Sequence, residues 1–188
     1  SVQLPEPVGP GETIILRIDF ESKLPKVTAR TGWEETDTGE PFFMVAQWFP
    51  KIGVYEVPGQ RYVPEDAPRG QWNTHQFHAN SEFFADFGVY DVSLTLPSGF
   101  VLGATGRLAE KTTHPDGTET HRYVQEDVHD FTWVASRRFL DREGTFDDPG
   151  YPPVRIRLLL QPEHAHLAER YIEATRIALR TYGTWSVP

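Results

Sequence analysis

The sequence predicts an all-β fold, a twisted antiparallel β-sandwich or saddle-like set of sheets with one long helix near the carboxyl end. Three observations predict this fold. Short segments in which apolar and polar residues alternate recur along the chain, and this two-residue period is typical of half-buried strands. Sixteen Pro and fifteen Gly in 188 residues provide turns between the segments. The apolar spacing changes to the 3.6-residue period of a helix only after Pro162.

The predicted strands begin with residues 13–20 and 42–48, and a third covers residues 89–96. The third strand has one apolar face and one polar face, since successive side chains of a strand point to opposite sides. Its apolar face consists of Tyr90, Val92, Leu94 and Leu96. This pattern indicates a strand with one side in water.

A β-hairpin is predicted from residues 107–113 and 118–127, which flank Pro115-Asp116-Gly117. Glycine supplies the positive φ that a tight connection requires. Residues 154–160 alternate again, and Pro162 both stops that strand and suits the first turn of a helix.

The helix is predicted to cover residues 163–182 and to end at Gly183. Its predicted apolar stripe is formed by Leu167, Tyr171, Ala174 and Ala178, with a second row beside it formed by Ala168, Ile172, Thr175 and Leu179.

Composition excludes several classes of function. The net charge of −9, from 27 acidic and 18 basic residues, would repel phosphate backbones, so nucleic acid is not an expected partner. No stretch approaches the roughly 20 apolar residues that span a bilayer, and residues 1–12 lack the pattern of a signal peptide. The absence of Cys excludes disulfides and thiolate metal sites but leaves the compartment open.

Three segments resemble a known family. They are VAQWFPKIGVYE at 45–56, QWNTHQFHANSEFFADFGVYDVSLTLPSGFVLGATG at 71–106, and VHDFTW at 128–133. They resemble the non-catalytic amino-terminal β domain of gluzincin zinc metallopeptidases, the family of the alanyl aminopeptidases and leukotriene A hydrolase. The resemblance implies that residues 1–160 belong to this β domain. The later segment LAERYIEATRIALRTYGTWSVP is similar to the opening helix of the catalytic domain, which implies a second unit at 161–188. Because LPEPVGPGETIILRIDFESKLP is similar to the middle of the β domain, we expect a piece of a longer peptidase, secreted or periplasmic as one option.

The zinc site of that family is absent from the sequence. His-Glu-x-x-His on a helix holds zinc between two imidazoles, but none of the seven His residues here is followed by Glu. The exopeptidase segment Gly-x-Met-Glu-Asn is also absent, because Val45 follows Met44, the only methionine. We therefore predict no catalytic residue and no metal ligand in this chain, with zinc and hydrolysis of amino-terminal peptide bonds assigned to the catalytic domain of the same polypeptide. The alternative is a stand-alone protein- or carbohydrate-binding β-sandwich module.

The resemblance implies one substrate-binding role. In the family, a Gln or Glu of the β domain just before a Phe-Pro step binds the free amino group of the peptide substrate, since its oxygen accepts N–H bonds from an ammonium. Gln47, close to Phe49-Pro50, and Glu40, in Gly39-Glu40-Pro41, are the two candidates. The alternative is that both face solvent or stabilise turns. QWFPKIGVY replaces the usual Arg-rich segment here, which leaves the preferred amino-terminal residue open.

Other chemical groups support competing interpretations. His75, His78 and Glu82 have a spacing that suits zinc on a helix, but aromatic neighbours and the approach to a strand disfavour a helix there. We therefore favour hydrogen-bonded residues of a packed loop. Glu82 and Asp86 would act as the acid and base of a glycosidase only if both lined one cleft about 5–10 Å apart. For Asp130 we predict a structural hydrogen bond at a turn or strand end.

Aromatic residues are concentrated in two of the resembling segments and could form a stacking platform for sugars or peptides. Core packing is the alternative that we favour, because aromatic side chains supply much of the buried area of a sandwich. The residues are Trp48, Trp72, Phe77, Phe83, Phe84, Phe87 and Tyr90.

Overall fold

The computed structural model describes residues 4–26, 30–73 and 82–186. The described chain is built from antiparallel strands and one α-helix at the carboxyl end, which confirms the predicted fold class. The strands are β1 Gly32–Glu35, β2 Pro41–Val45, β3 Val54–Glu56, β4 Gln71–Asn73, β5 Gly88–Pro97, β6 Val101–Ala104, β7 Arg107–Thr113, β8 Thr118–Val128, β9 Trp133–Ser136, β10 Leu140–Phe146 and β11 Val154–Leu160. A 3-10 turn, Pro162–Leu167, leads into α1, Ala168–Trp185.

Four sheets are formed, and the two larger ones enclose the main core. One has the strand order β1-β2-β9-β6 and the other the order β5-β8-β7, while β3 pairs with β4 and β10 with β11. The core between the larger sheets centres on Phe131, which is fully buried, together with Leu102, Tyr123 and Ala135. Partly buried aromatic and aliphatic side chains from both sheets pack around these four residues. Burial of this apolar area is the main stabilising contribution to the sandwich.

Strand β5 and the β7–β8 hairpin form as the sequence predicts, and the structure pairs them in one sheet. Along β5 every second side chain is partly buried, and the residues between are exposed. The turn between β7 and β8 places Gly117 at φ 83°, and Asp116 Oδ1 accepts a hydrogen bond from Thr118 N at 3.0 Å. Because the turn signals and the strand pattern agree, local sequence determines this hairpin.

A second, smaller core lies between the β10–β11 hairpin and α1. It contains Phe146, Ile156 and Ile172, all buried. The helix comes so close to the hairpin that a Cβ on Gly144 would lie 2.6 Å from Ile172 Cγ2. The strand at Val154–Leu160 has the predicted bounds. No helix among the described residues is both long and apolar enough to cross a membrane.

The helix differs from its prediction in three ways. The α-helix begins at Ala168 and not at residue 163, because Pro162–Leu167 forms a 3-10 turn. Gly183 does not end the helix, which continues to Trp185. Instead, a Cβ at Gly183 would lie 2.4 Å from Tyr151 Cε1, so the glycine permits close packing of that ring. The packed stripe runs through Ile172 and Leu179, whereas Tyr171, from the other predicted stripe, is 44% exposed.

Residues 13–20 form no strand, contrary to the prediction. Their backbone has no strand assignment, and the apolar side chains are exposed, with Ile15 83% and Ile18 53% accessible. A strand requires a neighbour that accepts and donates its ladder hydrogen bonds. No described strand pairs with this segment, so its alternating pattern alone does not produce a sheet.

Candidate functional site

The turn that follows β2 contains the candidate with the most unusual geometry. β2 ends at Val45, so the predicted strand at 42–48 is three residues too long. Gln47 is exposed and adopts φ 53°, in the left-handed region. For a residue with a Cβ this conformation costs roughly 1–2 kcal/mol, and strained residues of this kind concentrate at functional sites.

Both sides of Gln47 are attached to the segment at 130–133. Upstream, Val45 pairs with Trp133 at the end of the β2–β9 ladder. Downstream, Trp48 Nε1 donates a hydrogen bond to the Phe131 carbonyl at 3.0 Å. The Gln47 turn is therefore fixed against the buried centre of the sandwich.

Lys51 and Asp130 add an ion pair just beyond that turn. Lys51 Nζ lies 2.7 Å from Asp130 Oδ1, with only 19% and 13% of the two side chains exposed. Outside this ion pair, neither atom has a hydrogen-bond partner within the described residues. The ammonium also lies 4.5 Å from the centre of the Phe83 ring and 5.3 Å from that of Phe49. Since a largely desolvated ammonium is stabilised by a carboxylate and by the faces of aromatic rings, these groups hold Lys51 in place.

The segment at 130–133 is also held from its other side. Thr105 N donates to the Thr132 carbonyl at 2.9 Å, and Thr132 N donates to Thr105 Oγ1 at 3.1 Å. Close by, Tyr90 stacks on Phe131 with ring centres 6.3 Å apart. Burial, and then the negative charge of Asp130, raise the pKa of Tyr90 above its ordinary value of 10.0. Asp130 thus forms an ion pair at a junction of strands, where a structural hydrogen bond at a turn or strand end was predicted.

Sequence reasoning did not single out Lys51. A signal does exist in the sequence, because the resembling segments contain one Lys in QWFPK and one Asp in VHDFTW. A partly buried Lys requires an acidic partner, so the two could have been proposed as an ion pair. The pairing links residues on segments far apart in the chain, and only the structure brings them together.

Glu40 lies at the opposite end of β2 from Gln47. A strand rises about 3.3 Å per residue, so the two side chains are on the order of 20 Å apart and do not form one binding site. Glu40 Oε2 lies 3.9 Å from Arg137 Nε, and its carbonyl accepts a hydrogen bond from Thr36 N at 2.9 Å. The Glu40 carboxylate therefore already has a cationic neighbour.

Gln47 differs in this respect. No hydrogen bond of its side-chain amide is found within the described residues. Gln47 is the candidate whose side chain is available to a ligand.

Glu82 and Asp86, the other acidic candidates, each accept hydrogen bonds from described residues. Glu82 accepts two hydrogen bonds from Arg30, at 2.5 and 2.7 Å. These bonds lower the pKa of Glu82 below its ordinary value of 4.5. Asp86 Oδ1 accepts from Phe87 N at 2.9 Å. His75 and His78 lie outside the described residues, and within them no three His, Asp or Glu side chains are grouped as metal ligands.

The aromatic residues divide between the two interpretations. Trp48 and Tyr90 pack against the main core, and Phe83 stacks on His129 with ring centres 5.3 Å apart. Trp72 is 56% exposed and forms an edge contact with Tyr55 at 5.2 Å. Phe84 and Phe87 are also exposed, and Phe77 lies outside the described residues.

Comparison with known proteins adds no relative. No protein-family profile matches this chain, and no curated protein matches it significantly.

Proposed function

We propose that this chain is the non-catalytic amino-terminal β domain of a zinc-dependent aminopeptidase-like metallopeptidase. In this function Gln47 accepts a hydrogen bond from the free amino group of a peptide substrate at the edge of the cleft. The catalytic domain of the same polypeptide supplies the zinc and cleaves the amino-terminal peptide bond. The observation that carries the proposal is the exposed Gln47, whose amide has no hydrogen-bond partner among the described residues, on a strained turn fixed to the sandwich core.

The mutual contacts of the three resembling segments support this proposal. Trp48 of the first segment binds Phe131 of the third, and Thr105 of the second binds Thr132 of the third. Phe49 and Tyr90 join the first and second segments through an edge contact at 5.8 Å. The described parts of the three resembling segments are therefore joined by direct contacts around Phe131.

The test uses the polypeptide in which this domain is joined to its catalytic domain, with amino-acid amides as substrates. Gln47→Ala is expected to raise KM roughly tenfold or more, because a hydrogen bond to a charged group is lost. Gln47→Glu, which keeps an oxygen acceptor, is expected to retain tight binding. Glu40→Gln is the matched control at the other end of β2 and is expected to leave KM unchanged.

The division of labour between the two domains has its own test. Residues 1–188 alone are expected neither to hydrolyse amino-acid amides nor to retain stoichiometric zinc after dialysis, as measured by elemental analysis. Hydrolysis by this piece, or an unchanged KM in Gln47→Ala, would refute the proposed function.

A stand-alone carbohydrate- or protein-binding module is the second candidate function. The exposed Tyr55 and Trp72 rings favour it, since exposed aromatic faces bind sugars. Their planes are inclined at 71°, so they do not present one flat platform. Trp72→Ala decides between the candidates: loss of binding to a glycan array supports the module, and an unchanged array with intact peptidase activity supports the aminopeptidase domain.

A further inference from the structure

The Gln47 turn lies between two attachments to one neighbouring segment. Val45 pairs with Trp133 at the end of the β2–β9 ladder, and the Trp48 side chain donates a hydrogen bond to the Phe131 carbonyl. Between these two attached residues, Gln47 adopts φ 53°, in the left-handed region.

Glycine would adopt this conformation without strain, and glycine occupies most of the left-handed positions among the described residues. Examples are Gly39 at φ 79°, Gly99 at φ 91° and Gly117 at φ 83°. Gln47 stands in such a position with a long side chain that faces solvent. Since the strain persists only while the surroundings enforce it, the attachments around Gln47 determine where its amide lies.

We propose that Trp48, Lys51 and Asp130 are positioning residues for Gln47. Trp48 fixes the residue immediately after the turn through its 3.0 Å hydrogen bond to the Phe131 carbonyl. Lys51 and Asp130 fix the chain three residues further on through their 2.7 Å ion pair. These attachments hold the chain on both sides of the exposed Gln47. This inference rests on the proposed function, because it assigns the amide to the substrate's amino group.

The positioning role predicts a specific pattern of kinetic effects. Trp48→Phe keeps the ring in the core and removes only the N–H donor, while Lys51→Met keeps much of the side-chain volume and removes the charge. Each variant is expected to raise KM for amino-acid amides roughly three- to tenfold and to leave kcat within about twofold. The reason is that binding of the amino group is weakened equally in the ground state and in the transition state. Trp33→Phe, another indole-to-phenyl change, is the control and is expected to change neither constant.

A double-variant measurement separates positioning from a purely structural contribution. In a Gln47→Ala background, Trp48→Phe and Lys51→Met have no amide to position, so they are expected to raise KM no further. KM effects that simply multiply in the double variants would overturn the positioning role. The failure of the proposed function itself shows separately, as an unchanged KM in the Gln47→Ala single variant.

A stability measurement tests the strain independently of activity. Gln47→Gly is expected to raise the thermal unfolding temperature by a few degrees, since glycine removes the left-handed strain. The same variant is expected to raise KM to the level of Gln47→Ala. An unfolding temperature below that of the unaltered protein would show that the turn is not strained, and the positioning argument would fail with it.

Discussion

Residues 13–20 and strand β5 share one sequence pattern and have different structures. Both alternate apolar and polar residues over about eight positions, yet only β5 is a strand. β5 pairs with β8 from Gly88 to Pro97, and its Tyr90 ring packs on the buried Phe131. Residues 13–20 have no described partner strand, and Ile15 and Ile18 are exposed. Alternation thus indicates a capacity to pair, and the partner strand decides whether a sheet forms.

The strongest test of this comparison removes one phenylalanine from the core beneath β5 and one from residues 13–20. Phe131→Ala is expected to lower the free energy of unfolding by about 3–5 kcal/mol, since it leaves a cavity under β5. Phe20→Ala, the matched change in the unpaired segment, is expected to cost less than about 1 kcal/mol because that ring is 46% exposed. Urea denaturation followed by tryptophan fluorescence measures both. Equal losses would show that residues 13–20 are packed as firmly as β5.

The helix provides a second test that long-range contacts outweigh local preference. Gly183→Ala is expected to destabilise the protein by about 1–3 kcal/mol, although alanine favours helix, because the new methyl group would overlap Tyr151. In a Tyr151→Ala background the same substitution is expected to be stabilising by up to about 1 kcal/mol. Thermal unfolding by circular dichroism measures the sign in each background. A stabilising effect in the unaltered protein would contradict the close contact.

The smallest expected effect on stability concerns the Arg122–Asp91 ion pair of β5. Residues 13–20 form no such pair with the described residues. Arg122 Nε donates to Asp91 Oδ1 at 2.8 Å, and this bond lowers the pKa of Asp91 below its ordinary value of 3.8. A carboxyl whose pKa is lower in the folded state stabilises fully above 3.8, and this contribution disappears as the pH falls through the folded pKa. Arg122→Met is therefore expected to lower the unfolding temperature slightly at neutral pH and progressively less in acid.

The control for this pH effect is Arg17→Met, in the unpaired segment. Arg17 forms no ion pair with the described residues, so its substitution is expected to give a difference that does not change with pH. High salt is expected to reduce the Arg122 effect, because both partners are about half exposed. A pH-independent Arg122→Met effect would mean that the arginine acts through packing alone.

The parts of the fold that the sequence predicted are those determined by local signals. The β7–β8 hairpin has its turn residues between two regular patterns, and β11 alternates until Pro162 stops it. The short strands β3 and β6 carry too few residues for a recognisable period. The prediction that the helix ends at Gly183 was wrong because glycine is needed there for close packing of the Tyr151 ring, which comes from outside the helix.

The candidate site was predictable only in part. The resemblance singled out Gln47 and Glu40, but their separation along β2 is visible only once the bounds of that strand are known. The left-handed φ of Gln47 has no local signal, since neither Gly nor Asn occupies the position. The Lys51–Asp130 ion pair depends on tertiary packing, which alternation and spacing do not encode.

The hydrogen bond between Trp48 and Phe131 has a consequence for the order of folding, because it joins residues 83 positions apart. One tight turn joins β7 to β8, so formation of this hairpin closes only a short loop at little entropic cost. The hairpin is therefore expected to assemble within microseconds. Closing the chain between Trp48 and Phe131 requires a much longer loop and is expected to follow later. Gln47 is therefore expected to acquire its strained geometry only after this hairpin has formed.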